Sequence, residues 1–478
     1  MTERGNSPIW WCAIGAIAIA GLLLRFAASH GGLWTDEAWS VIYAEQARDP
    51  IGVFLRINHD NNHHLISLWL QAIGTQAPPW LARLPAVLTG SAAIVVAAVI
   101  AGRASKFAGI VAALLFAFSP ILVTYGSEAR GYAPMVLAAL TMLLVVMRSL
   151  EQGASKATPW WLGLLSLLGM LSHMTMAAPV VLISLWVYQD RRAIEGPTRG
   201  LRSSANLMGP ALVIAAAVPV FVFAAAAISP NGMRVGGYVP FDWRDYGEAL
   251  GELARWTLGT TELPGWVALL ASVVIALVLA LRPPQWLGTR ARLFATLIVG
   301  VPLVVAIIHL PNTGFARYFL CSAIGLLLCV SEFIGRMFAK SNVARGAALA
   351  GLAALVLSSL WQDAALVRIE RGHPDQIVEL MQQRSPAGGR LSIETLRLEA
   401  VTRVAALREG YPLELISGCA PAEFAVSSEP RRLADHGPFV RCGVMMRPIG
   451  SGSGTALTGD RWILYYADKP RALQLASR

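Results

Sequence analysis

Charged side chains are scarce in this chain: Asp, Glu, Lys and Arg make up 14% of its 478 residues, while apolar residues make up 55%. So little charge excludes a highly solvated, disordered chain. Cysteine is scarce as well, and five residues are too few to carry a fold of this length on disulfides. Cys12, Cys321 and Cys329 lie in apolar segments and read as small core residues. Cys419 and Cys442 belong to the polar tail, where a disulfide is open to them if the tail is extracytoplasmic. There is no internal repeat, no low-complexity tract and no glycine-rich nucleotide fingerprint.

What the chain has instead is long apolar runs. Segments such as 8–28, 207–228, 265–281 and 346–360 approach or exceed the roughly 20 residues that cross a hydrocarbon core, and charges sit between them. This pattern is that of a polytopic membrane protein. The first run is longer than the apolar part of a signal peptide and ends in Leu-Leu-Leu-Arg-Phe without a small-residue cleavage pattern, so it reads as a retained helix. The net charge of +10 follows from topology, with no nucleic-acid partner implied.

Basic residues set the orientation. With the N-terminus cytoplasmic, residues 30–80 lie outside, and Arg103 and Lys106 are inside only if one crossing, 81–101, separates them. The moderately apolar segment 65–75 then lies in the outer interface. Segment 107–125 crosses outward and 132–147 returns to a loop carrying Arg148 and Lys156. The 159–188 stretch is two short helices with a turn near His173, because Lys156 and the Arg191–Arg192 pair both belong inside. The same alternation places Arg199 and Arg202 inside, 229–262 outside, Arg282, Arg290 and Arg292 inside, 311–317 outside, and Arg336, Lys340 and Arg345 inside. The expected fold is an all-α polytopic bundle of about eleven crossings. Interfacial helices are expected in the first outer loop. Residues 1–361 form the membrane domain, and 362–478 form a small extracytoplasmic α/β domain in the inner (plasma) membrane's outer space.

This topology gathers Asp36, Glu37, His59, Asp60, His63, Glu128, Arg130, Tyr132, His173 and Arg317 on one side of the membrane. Ionisable groups at a bundle rim are costly against lipid and belong in a cavity. In Trp34-Thr35-Asp36-Glu37-Ala38-Trp39, Thr35 or Asp36 can N-cap a helix starting near Ala38. Alternatively, one carboxylate acts as general base on an acceptor hydroxyl while the other orients it or tunes its pKa by like-charge repulsion. His59 and His63 have i, i+4 spacing, but the intervening Asp60-Asn61-Asn62 favours a loop with substrate hydrogen bonding over a metal site, and a helix starting near His63. Glu128 and Arg130 either only neutralise each other, or Arg130 or Arg317 binds a phosphate. His173 reads equally as a core histidine, and Tyr318 beside Arg317 fits an interfacial aromatic belt.

Taken together, TDEAWS, NNHHL, ARLPAVLTG, SPILVTYGSEARGY, LSHMTM and FARYFL, in that order over about residues 1–330, resemble the GT-C superfamily of polytopic glycosyltransferases. The resemblance is to its Rgt-like and protein mannosyltransferase-like branch. It implies Asp36 as catalytic base with Glu37 beside it, and His63 at the histidine of a His-Pro motif whose proline is here His64. Glu128 and Arg130 fall at the acidic and basic positions of the second outer loop, and Arg317–Tyr318 at the late Arg-Tyr pair. It further implies a polyprenyl-phosphate sugar donor, a glycan, lipid or protein acceptor, and direct displacement with inversion. Some members use a divalent metal; the residues themselves establish no cofactor. A transporter or flippase of lipid-linked sugars shares the architecture and the phosphate-holding arginines but needs no outward-facing base. A non-enzymatic assembly subunit predicts no turnover at all.

Overall fold

The computed structural model describes residues 7–229, 232–236, 239–260, 262–282, 284–393 and 396–467. Apolar content becomes helix almost throughout the first 370 residues. In chain order the helices are α1 (Pro8–Ala28), α2 (Thr35–Gln46), α3 (Pro50–Leu55), α4 (His64–Ile73), α5 (Pro79–Gly102), α6 (Lys106–Phe118), α7 (Pro120–Tyr125) and α8 (Tyr132–Gln152). They continue as α9 (Thr158–Ser172), α10 (Ala177–Glu195), α11 (Pro197–Ile228), α12 (Trp243–Leu258), α13 (Gly265–Leu281), α14 (Arg290–Ile308), α15 (Leu320–Lys340) and α16 (Asn342–Ile369).

Seven spans are long and apolar enough to cross a membrane: α1, α5, α8, α11, α14 and the segments Ala316–Lys340 and Asn342–Gly372. Helices α4, α6, α9 and α13 are apolar but shorter. Exposed Trp160, Trp161, Val213, Val220, Phe223 and Leu277 are the outward apolar side chains that lipid solvates. The chain is a multi-pass membrane protein. At ten residues α4 is too short to span, as an interfacial segment should be. The 159–188 stretch is two helices turning at His173.

Residues fall into two compact units. The first comprises 1–27, 58–66 and 84–364, and the second 28–57, 67–83 and 365–478. In the first, small residues let helices approach closely: a Cβ on Gly325 of α15 would stand 2.7 Å from Leu297 of α14, and one on Gly335 2.7 Å from Ala108 of α6. The expected 107–125 crossing is broken at Ser119-Pro120, because a proline supplies no N–H to the preceding turn. The carbonyls of Phe116 and Ala117 are satisfied by the buried Arg25 guanidinium, at 2.9 and 3.0 Å. Helix α12 was not expected. Its buried Tyr246, Ala249, Leu253, Ala254 and Thr257 share one face at i, i+3, i+7, i+8 and i+11. Of the cysteines read as core residues, Cys321 and Cys329 are buried but Cys12 is exposed, since a helix in lipid has apolar residues all round.

In the second unit, the tail adds α17 (Gln376–Arg384), β1 (Gly389–Ile393), α18 (Leu396–Glu409), β2 (Leu413–Ile416), β3 (Phe424–Ser427), α19 (Pro430–Asp435), β4 (Phe439–Arg441), β5 (Val444–Ser453) and β6 (Arg461–Ala467). The sheet order is β2-β1-β3-β6-β5-β4. Strand β1 runs parallel to β2 and β3, and the remaining pairs are antiparallel. Ile377, Met381, Leu391, Phe424, Trp462 and Leu464 form its core. Cys419 and Cys442 form a disulfide with Cα atoms 5.6 Å apart.

Candidate active site

The adjacent acids belong to the second unit, and the structure gives them different surroundings. Helix α2 begins at Thr35, capped by the backbone of Trp34, so neither Thr35 nor Asp36 is the N-cap that the sequence pattern allows. Glu37 takes the capping duty instead: its Oε2 accepts the Trp34 N–H at 3.3 Å. Glu37 is fully buried and forked by Arg83, with Nε donating to Oε1 at 2.8 Å and Nη2 to Oε2 at 2.6 Å. The same guanidinium donates to the carbonyls of Ser29, His30, Gly31 and Gly32 at 2.8–3.0 Å. Asp36 remains half-buried among buried neighbours, and its carbonyl accepts the Ser40 hydroxyl at 2.9 Å.

The other candidates lie in the first unit. Between α7 and α8 the chain turns through Ser127–Gly131, and Ser127 donates its hydroxyl back to the Val123 carbonyl at 2.7 Å. Gly131 is required there, because a Cβ would stand 1.7 Å from the Ser172 carbonyl oxygen. Arg130 emerges from this turn, almost buried. It donates from Nη2 to Asn61 Oδ1 at 3.0 Å and from Nε toward His63 Nε2 at 3.4 Å, and its guanidinium lies 5.0 Å from the Tyr132 ring. His63 stacks on His173 at 4.7 Å, and His173 on Tyr132 at 4.2 Å. His173 Nδ1 accepts the Thr175 N–H at 3.1 Å, which leaves the proton of its neutral form on Nε2.

Burial, then the charges of His173, Arg130, His64 and Arg317, hold His63 well below the ordinary histidine range, so its imidazole is neutral. Glu128 and Tyr132 are fully buried on the same turn. Arg317, on the 3-10 turn Ala316–Phe319, is half-buried, 4.2 Å over the Phe315 ring and 5.5 Å over Tyr318. In the stretch between α3 and α4, Asp60 Oδ1 lies 2.8 Å from His59 Nδ1 and accepts the Gly236 N–H at 3.1 Å. Burial pushes the Asp60 carboxyl up, but the His59 hydrogen bond and charge, Gly236 and Arg130 outweigh it and leave the group lowered.

The first unit thus joins His63, Arg130, Tyr132 and His173 in one stacked, cationic corner, with the charge of Arg317 felt there. Two arginines beside neutral imidazoles and aromatic rings suit an anionic oxygen. Among the described residues, no group of three or more His, Cys, Asp or Glu is placed to hold a metal ion. Arg83 and Asn61 are partners that single-residue reading misses. Arg83 stands inside the ARLPAVLTG motif, but nothing local links it to an acid 46 positions earlier.

Comparison with known proteins bears on the fold. Residues 62–224 match the family described as dolichyl-phosphate-mannose-protein mannosyltransferase. ArnT from Cupriavidus metallidurans, in its apo crystal structure, is similar over 97% of this chain and 98% of its own, with a TM-score of 0.59 and 14% identity. The fold is of the GT-C type. The same ArnT bound to undecaprenyl phosphate matches over 97% of this chain and 99% of its own, with a TM-score of 0.52 and 14% identity. The Archaeoglobus fulgidus oligosaccharyltransferase in complex with Zn and sulfate matches over 84% of this chain and 62% of its own, with a TM-score of 0.50 and 12% identity. No curated protein sequence matches the chain. The resemblance to GT-C glycosyltransferases read from the motifs is borne out, and the matched segment 62–224 contains His63, Glu128, Arg130, Tyr132 and His173.

Proposed function

We propose that the protein is a membrane glycosyltransferase that moves a sugar from a polyprenyl-phosphate donor to the hydroxyl of an extracytoplasmic glycan, lipid or protein. The observation that carries this reading is the division of the acid pair: Glu37 is fully buried against Arg83, whereas Asp36 is half-exposed on the first turn of α2. Asp36 takes the acceptor proton, the acceptor oxygen attacks the anomeric carbon from the face opposite the phosphate, and the sugar–phosphate bond breaks. Polyprenyl phosphate leaves with the electron pair, and the configuration inverts. Arg317 and Arg130 hold the phosphate, whose negative charge grows as the bond breaks. Glu37 sets the helix that bears Asp36 and takes no proton.

A membrane-borne donor needs an apolar berth. Helices α12, α13, α14 and α15 line a partly open apolar cavity with Leu253, Leu269, Val273, Ile298, Pro302 and Leu326. That one solved relative was crystallised with undecaprenyl phosphate supports a lipid phosphate as the leaving group. For orientation, we place the N-terminus in the cytoplasm and Asp36 and the tail outside, in the inner membrane. The Cys419–Cys442 disulfide supports that side for the tail, since such bonds persist in oxidising compartments.

Mass spectrometry of envelope glycans and lipids, with and without the protein, identifies sugar and acceptor together as one missing residue. With those in hand, Asp36→Asn is expected to abolish transfer while leaving undecaprenyl phosphate binding within about threefold. Substantial residual transfer by that variant would remove Asp36 from the base role. Translocation of a lipid-linked sugar without covalent transfer would establish the flippase reading.

A further inference from the structure

The tail's sheet reaches α2. Between β5 and β6 the chain passes through residues 454–460, and Asp460, just ahead of β6, is fully buried. Its carboxylate accepts the Thr35 N–H at 2.8 Å and the Thr35 hydroxyl at 2.5 Å, and Arg397 of α18 approaches to 3.3 Å. Thr35 opens α2 and directly precedes Asp36. The first N–H groups of a helix have no partner within it, and Trp34 offers no side-chain cap. A residue 425 positions away supplies the acceptor instead.

The loop is built to hold that carboxylate still. The Asp460 N–H donates to the Arg371 carbonyl at 3.1 Å, and its carbonyl accepts the Gly454 N–H at 2.9 Å. Gly459 has φ +94°, and a Cβ there would stand 2.5 Å from the Arg371 oxygen. Arg371 is itself buried and donates to the Ala28 carbonyl, while Trp462 Nε1 donates to the Gly372 carbonyl at 2.7 Å. Burying a carboxylate is costly, and the apolar core formed by Phe424, Trp462 and Leu464 has no need of one. The expense is accounted for where the carboxylate ends up, on the first turn of the acid-bearing helix.

We propose that Asp460 is a positioning residue for Asp36: the β5–β6 loop fixes the first turn of α2 and so sets the direction in which Asp36 is presented. The C-terminal sheet is then part of the transfer apparatus. This inference rests on the reading of Asp36 as the base. A misplacement of about 1 Å in a reacting group can cost on the order of 100-fold in rate, so the expected signature is in turnover, with binding unaffected.

The test uses the full chain in detergent or nanodiscs, with the variants Asp460→Ala, Asp460→Asn, Thr35→Val and the Thr35→Val/Asp460→Asn double. Hydrogen–deuterium exchange over residues 33–42 is expected to speed up by about 10-fold or more in Asp460→Ala, while β6 keeps its protection. Transfer per folded molecule should fall by about 10- to 100-fold in kcat, with KM for the acceptor and undecaprenyl phosphate binding within about threefold. Asp460→Asn keeps one acceptor oxygen and should lose less. Thr35→Val leaves the sheet untouched, so a matching kcat loss that the double variant does not deepen supports the pairing even if Asp460→Ala disturbs the domain. Unchanged exchange in α2, unchanged kcat despite a loosened α2, or additive losses in the double variant would each overturn the proposal. If the wild-type chain transfers no sugar at all, the transferase reading fails, and exchange in α2 still decides whether Asp460 holds the helix.

Discussion

Glu37 and Arg83 show how one buried ion pair can give two neighbouring acids different surroundings. Both side chains are fully buried, and two parallel hydrogen bonds join them. Replacing Arg83 by Ala would leave the buried Glu37 carboxylate without its cationic partner, at a cost of about 3–5 kcal/mol. A marked fall in the thermal unfolding midpoint of purified Arg83→Ala is the expected outcome, with a smaller fall for Glu37→Gln. His63 gives a second prediction. Its folded form resists protonation, whereas in the unfolded chain it titrates near the ordinary 6.5. The unfolded state therefore binds more protons as pH drops through that value, and the contribution to stability, complete above it, is lost below it. Unfolding midpoints measured from about pH 8 to pH 5 should fall more steeply in wild type than in His63→Gln. At this scale the sequence exposed the reactive residue types and hid their roles. Asp36 and Glu37 look alike until a guanidinium 46 residues on chooses one of them.

Elements were legible where one physical signal governed them. The long spans follow from apolar length, and the His173 turn followed from the charges on either side of 159–188. Element edges were harder. The expected 207–228 crossing lies in a helix that starts at Pro197, with Gly196 at φ +83° before it, a proline-at-first-position signal that apolarity alone passes over. Helix α12 escaped because its mean composition is polar, although the spacing of its buried face was readable. The turn into α8 shows an element fixed by one missing atom. Gly131→Ala would drive a Cβ into the Ser172 carbonyl, so the α7–α8 turn or the α9 end must move, and Arg130 with it. The expected outcome is a loss of undecaprenyl phosphate affinity of about 10-fold or more, by calorimetry or a labelled-lipid assay, while Gly209→Ala, in open space on α11, leaves it unchanged.

For the molecule as a whole, the tail was readable as a small α/β domain from its short apolar strands and breaks, but its purpose was not. No local pattern marks Asp460 as a partner of Thr35, since a lone Asp before a strand is ordinary. The disulfide can be tested at this scale. Closing the 23-residue separation between Cys419 and Cys442 restricts the unfolded chain by about 3 kcal/mol in the chain-entropy view. Cys419→Ser/Cys442→Ser should therefore unfold its sheet earlier, as read by exchange over β3 and β6, and intact-mass comparison before and after reduction should show the mass of two hydrogen atoms gained by wild type only.

The bond from Thr35 to Asp460 also has a consequence in time. A ribosome adding about 5–20 residues per second needs roughly 20–85 s to travel the 425 residues between the two partners. Through that interval the first turn of α2 is without its acceptor. On this reading the nascent protein holds the first turn of α2 loosely while the rest of the chain is inserted, and that turn is fixed only once Asp460 has been made.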